Sequence, residues 1–298
     1  MAAASDLIGL RAGSLTLELI PGIGGSVASF RIDGIDLMRP LSVADLANGD
    51  VLGVAMFPML PYANRIRGNT FTFEGRTYDF VANNPPEKYV VHGTGWHRPW
   101  RVERASPDSA DLRLEAVRLD GVYSYEAAQV FTLDGAGLTV TMSISNVGAE
   151  ELPFGFGLHP WFERDDDVTV QFAAKRFYLE EPEGVSGDPI SIPPELDFAI
   201  GRALPGGWRN NDYGGWDGRA ELRWPRRGVA LCILAEHPFS HLMVYADPNR
   251  PFFCVEPQTN ASGAFNRRGG FDDPREGVIA LAPGATASGS IRFEARRL

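Results

Sequence analysis

Leu138-Thr139-Val140-Thr141-Met142-Ser143-Ile144 alternates apolar and small polar residues without a break. Successive side chains of a strand point to opposite faces, so Leu138, Val140, Met142 and Ile144 share one face and the hydroxyls share the other. A helix would spread the same residues around its circumference. Val130-Phe131-Thr132-Leu133 precedes this run, and Asp134-Gly135 between the two is the turn signal of a hairpin. The pattern recurs outward in both directions. Ser29–Ile32 and Ile35–Met38 flank Asp33-Gly34, while Thr70–Phe73 and Arg76–Phe80 flank Glu74-Gly75. Ala220–Trp224 and Val229–Leu234 enclose a turn from Pro225 to Gly228, and Gly289–Ala295 alternates once more.

Helical signals are sparse: Ser42–Ala47 reads as one short capped helix. The longest weakly patterned stretch, Glu180–Tyr213, reads as loop folded over the rim. There is no internal repeat, low-complexity segment or linker, so residues 1–298 are expected to form a single domain. Regular turns with almost no helix make it all-β and antiparallel, a sandwich or closed barrel.

The bulk composition excludes several function classes. Hydrophobic residues at 44% and charged residues at 22% describe a chain able to bury a large core. The 33 Gly and 22 Pro are scattered, marking turns rather than a disordered tract. A net charge of -10 repels phosphate backbones and anionic membrane surfaces, so neither nucleic acid nor membrane is an expected partner. Cys232 and Cys254 each sit in an apolar run and read as buried free thiols. Met1–Leu7 lacks the charge and apolar core of a signal peptide, and no apolar run is long enough to span a bilayer, so the expected location is cytoplasmic. No G-x-S-x-G, P-loop or dinucleotide fingerprint stands in a strand–helix context, which argues against serine hydrolases, NTPases and Rossmann enzymes.

Four separated segments carry chemistry. His159 interrupts the apolar run Pro153–Phe162; Pro160 holds it in extended geometry, and Gly155 and Gly157 leave room for a close approach. Taken alone it would be a core histidine. Glu256 closes the apolar run Phe252–Val255, where a carboxylate is costly without partners. It could stand at a strand end in solvent, but Gln258, Thr259 and Asn260 follow with groups that could orient a ligand. His92 lies in Val91-His92-Gly93, a plausible turn. Arg65, in Tyr62-Ala63-Asn64-Arg65-Ile66, offers a planar fork suited to hydroxyls or a carboxylate, or to an ion pair. His97, His237 and His241 stand in mixed, surface-like surroundings and are assigned to structure. Spacing leaves a metal site of His92, His97 and His159 open, but there is no HExxH and no pair placed to face one way on a helix, so no metal is expected. Two imidazoles, a carboxylate and a guanidinium can move protons between oxygens, and the set contains no dedicated nucleophile.

These blocks, in this order, resemble the aldose 1-epimerase (mutarotase) family over nearly the whole chain. The resemblance rests on Pro61–Ile66 with Gly68, Phe71 and Phe73; Val91-His92-Gly93 with Trp96 and Trp100; Leu158–Phe162; Gly215–Ala220; and Cys254–Thr259. It implies a large antiparallel β-sandwich of the galactose mutarotase-like supersandwich type, with a sugar cleft on one sheet. It also implies Glu256 as general base, His159 as general acid, His92 as the group that holds and polarises the sugar, and Asn64 and Arg65 as hydroxyl binders. The family's usual aspartate before Gly-Trp falls on Asn210 by counting back from Gly215-Trp216, with Asp212 two residues away. The implied reaction interconverts the anomers of a free hexose without a cofactor, in a monomer or homodimer. Ordinary pKa values near ~4.3 for Glu and ~6.5 for His would serve an ionised base and a protonated acid. A hexose-6-phosphate epimerase and a non-catalytic sugar-binding protein of the same fold are the competing readings.

Overall fold

The computed structural model describes residues 7–267 and 271–298. The segment Met1–Asp6, part of the stretch tested above for a signal peptide, lies outside them. The deciding hairpin forms as expected: Tyr123–Leu133 pairs antiparallel with Gly137–Asn146, Leu133 opposite Leu138 and Val130 opposite Thr141. Asp134 makes the turn, its Oδ1 accepting from the amides of Ala136 at 2.8 Å and Gly137 at 2.9 Å. Leu138, Val140, Met142 and Ile144 have no exposed surface.

Among the described residues, the strands gather into one sheet of eleven and one of nine, with two small two-stranded ribbons. The nine-stranded sheet contains the deciding hairpin and Thr286–Arg297, whose register runs alongside Gly137–Asn146. The eleven-stranded sheet has at its centre Met56–Met59, Gly157–Glu163, Phe252–Gln258 and His241–Ala246, side by side in that order. One continuous apolar cluster fills the space between the sheets, and it takes alternate residues of these central strands: Leu158 and Phe162, then Phe253 and Val255. The intervening residues belong to a second, smaller cluster on the opposite face, with Phe57, Met59, Trp161 and Cys254. That face carries the site.

The helix over Val43–Asn48 is capped by Ser42, whose Oγ accepts from Asp45 N at 3.0 Å, and it ends at Gly49 in the left-handed region. Both cysteines are buried and free. The stretch Glu180–Tyr213 departs from expectation. It contains the strand Val185–Ile190 and most of Arg209–Gly214, both in the eleven-stranded sheet. Proline and glycine interrupt its alternation, but pairing of Arg209–Ala246 through Gly214–His241 extends the sheet regardless. No described helix is long and apolar enough to cross a membrane.

Candidate active site

His159 and Glu256 meet through strand register. Gly157 faces Gln258 and Trp161 faces Cys254, which puts His159 opposite Glu256 on the same face. Regular pairing lapses between those two points, where Pro160 and Pro257 remove a donor from each strand. His159 Nε2 lies 3.3 Å from Glu256 Oε1. Glu256 is only 2% exposed and sits inside its strand, so the alternative of a solvated strand end is overturned. The His159 ring is held between Phe57, with ring centroids 4.5 Å apart, and Trp161, at 4.6 Å.

The second histidine arrives on a loop. His92 has φ 57° and Asn64 φ 62°, left-handed conformations that Asn and His tolerate better than most residues. The Asn64 amide donates to His92 Nδ1 at 3.1 Å. Nδ1 is therefore the unprotonated nitrogen, and in the neutral ring the proton sits on Nε2, leaving a donor for the cavity that His92 lines. The loop geometry depends on Gly93, whose φ is 62° and whose absent Cβ would overlap the Leu60 carbonyl.

These groups border a solvent-open cavity of about 210 Å³, with Asn64, Arg65 and Asn210 on its walls. Arg65 donates from Nη2 to Glu87 at 3.0 Å, so the ion pair anticipated for it exists, and it stands on the cavity wall. Asn84, Glu87, Tyr245 and Leu52 also line the cavity and were missed by sequence reasoning. Tyr245 had a signal, since it alternates with Met243 on the strand beside Glu256. The others come from irregular segments with no periodic cue.

Two expected ligand contacts lie elsewhere. Gln258 and Asp212 are fully buried and absent from the cavity wall. Gln258 donates to Asp212 at 2.5 Å, and the same carboxylate accepts from Ser186 Oγ at 2.5 Å and Ser262 N at 2.8 Å. Between Asn210 and Asp212, it is Asn210 that reaches the cavity. Thr259 and Asn260 likewise brace backbone, Thr259 Oγ1 accepting from Phe156 N at 3.0 Å and Asn260 donating to Ala63 O at 2.9 Å. His241 is a correction of another kind. It is completely buried, with Nδ1 2.7 Å from Thr259 O, whereas His97 and His237 are exposed as expected.

Burial rewrites the electrostatics. Desolvation, reinforced by the Asp212 charge and opposed by Arg65, pushes the Glu256 carboxyl well above its ordinary range. Desolvation, with repulsion from Arg39 and Arg65, pulls His159 down to about 3. His92 is also lowered by burial and by its neighbour His159. Both shifts run toward the uncharged forms of the pair, opposite in direction to the ionised base and protonated acid that ordinary pKa values suggested. Glu256 Oε2, His159 Nδ1 and Trp161 Nε1 are buried without hydrogen-bond partners, an unusual concentration of unsatisfied polar atoms beside one cavity. His159, Cys254 and Glu256 bring donor atoms within 4.8 Å of one another. Metal ligation would need thiolate and carboxylate, and burial holds both Cys254 and Glu256 toward their protonated forms.

Residues 6–294 match the family model for aldose 1-epimerase. The chain belongs to the aldose 1-epimerase family. The uncharacterised YphB protein of Escherichia coli K12 is 35% identical over 292 residues, covering 95% of this chain and 97% of its own. A crystal structure from Escherichia coli K12, provisionally assigned as an aldose 1-epimerase, superposes with a TM-score of 0.90 at 33% identity, covering 98% of this chain and 99% of the other. A galactose mutarotase-like protein from Clostridium acetobutylicum shares the fold with a TM-score of 0.82 at 18% identity, covering 98% and 95%. Like its relatives, this aldose 1-epimerase family member is a mutarotase-type antiparallel sandwich.

Proposed function

We propose that the protein, acting as a single domain, interconverts the α and β anomers of a free hexose by acid–base ring opening and closure. The observation that carries this reading is the Glu256–His159 pair, 3.3 Å apart and buried at the end of an open cavity. Drug-sized ligands take pockets of roughly 300–1,000 Å³, so a cavity of about 210 Å³ suits a single ring. Moving the shared proton from Glu256 to His159 creates carboxylate and imidazolium with no change in net charge. Burial opposes that far less than it opposes either charge alone. Glu256 then takes the proton of the anomeric hydroxyl while His159 gives one to the ring oxygen. The C1–O5 bond opens to the aldehyde, C1–C2 rotates, and the reverse transfers close the ring on its other face. His92 donates from Nε2 to a sugar oxygen, and Asn64, Arg65 and Asn210 supply polar contacts to hydroxyls. Positioned acid and base are each worth ~10²–10⁴-fold.

A phosphorylated sugar fits less well. Among the residues lining the cavity, Arg65 is the one guanidinium or ammonium, and Glu87 already neutralises it. Polarimetry on freshly dissolved α-D-glucose, α-D-galactose and α-D-glucose 6-phosphate tests the assignment. Accelerated mutarotation of a free sugar is expected, and acceleration of the phosphate ester alone contradicts it. A protein that binds hexose but accelerates neither would belong to the non-catalytic class.

A further inference from the structure

We infer that Arg39, which does not line the cavity, is a positioning residue for His159 and acts on it through Trp161; the inference rests on the anomerase reading above. A working histidine is usually steered by a hydrogen bond at its second ring nitrogen. His159 has none: Nδ1 is buried without a partner, while Nε2 faces Glu256. The plane of the imidazole is therefore set by the two rings it stacks on, Phe57 and Trp161. Phe57 is backed in turn by Trp96, with ring centroids 5.0 Å apart at 20°, and stands on a central strand of the sheet. Trp161 is backed by Arg39.

Arg39 meets this tryptophan twice. Its backbone amide donates to Trp161 O at 2.8 Å, and its guanidinium carbon lies 4.6 Å from the Trp161 ring centroid. The same guanidinium lies 4.9 Å from the ring of Phe252, which meets Trp161 edge to face at 5.0 Å and 89°. Its Nη2 donates to the carbonyl of Leu52 and, at 2.9 Å, to that of Val54. A cation is drawn to the electron-rich face of an indole. The guanidinium is also planar, with its donors in that plane, so the two carbonyls fix the face it offers to the ring. A flexible aliphatic side chain at this half-buried position could fill the space but could not hold that orientation. One residue thus ties together Trp161 and the Leu52 turn, both of which line the cavity.

The test measures kcat and KM for anomerisation of D-glucose and D-galactose by wild type, Arg39→Met and Arg39→Lys, with melting curves to establish that each is folded. In parallel, NMR records the ring-proton resonances of His159, assigned by their loss in His159→Asn. Arg39→Met keeps the length of the side chain and loses its plane, charge and donors. It should lower kcat by roughly tenfold, a fraction of the cost of one ångström of misplacement. KM should stay within about twofold, because Arg39 does not line the cavity. Without its backing Trp161 should swing off the imidazole, and the His159 ring protons should move downfield as ring-current shielding is lost. Arg39→Lys keeps the charge alone and should show both effects, with a loss of at least about threefold in kcat, which separates positioning from charge. A folded Arg39→Met or Arg39→Lys with wild-type kcat, or with His159 resonances unmoved, overturns the inference, as does a loss confined to KM. If wild type anomerises neither sugar, the proposed function falls, and the His159 resonances still decide whether Arg39 sets the ring.

Discussion

At the scale of single residues, the distinctive feature is a carboxyl and an imidazole that each lose their ordinary titration. Glu256 is raised well above the usual carboxyl range and His159 lowered to about 3, in both cases chiefly by burial. In the proposed reaction the pair works with one exchangeable proton. It gains a second only when pH falls toward the His159 value, and it loses its proton only when pH rises past the elevated Glu256 value. The acid limb of a pH profile of kcat/KM should therefore lie toward the His159 value of about 3, with no acid limb near the ~6.5 of an ordinary imidazole. An inflection there would show that His159 titrates as if solvated. His159 and Glu256 were legible in the sequence because a charged or polar group inside an apolar run is costly. The same rule cannot tell a cavity wall from a buried network. Gln258 and Asp212 therefore appeared as ligand contacts, although they bond each other behind the site.

At the scale of elements, the site is built from a few strands and one constrained loop. The strands were readable from alternation, and the proline after each of His159 and Glu256 marks where the ladder lapses. The loop was not readable, because its shape depends on contacts remote in sequence. Leu60 bridges Gly93, Arg65 bridges Val91, and Asn260 clamps Ala63. Gly93→Ala tests that loop. The added Cβ meets the Leu60 carbonyl and Pro61 in a conformation that already disfavours side chains. The expected cost is at least about 2 kcal/mol of stability, together with a loss of kcat as His92 shifts. Urea denaturation and steady-state kinetics on the same preparation check both, and a variant matching wild type in each would show that the loop can relax. Glu180–Tyr213 gives the complementary lesson. Its strands lack a clean period, and their edges are recruited by neighbours already in the sheet.

At the scale of the whole molecule, two large sheets close on one core, and the site occupies the far face of one of them. Stability and catalysis should therefore separate. Phe131, on the nine-stranded sheet, has no exposed surface, and Phe131→Ala should cost about 3–5 kcal/mol in urea denaturation. The activity of the molecules that remain folded should stay within about twofold of wild type, since the cavity lies on the other sheet's outer face. A selective loss of kcat without loss of stability would mean that the core sets the geometry of the site. Chain length, turn spacing and motif order identified the fold because they are global properties, whereas the cavity wall depends on which loops fold over it. The most direct measurement of the central claim is anomerisation by Glu256→Gln alongside calorimetric binding of the same hexose. Binding should persist within about threefold while the rate falls by at least ~10²-fold; a Gln variant that anomerises at the wild-type rate would remove Glu256 from the proposed proton transfer.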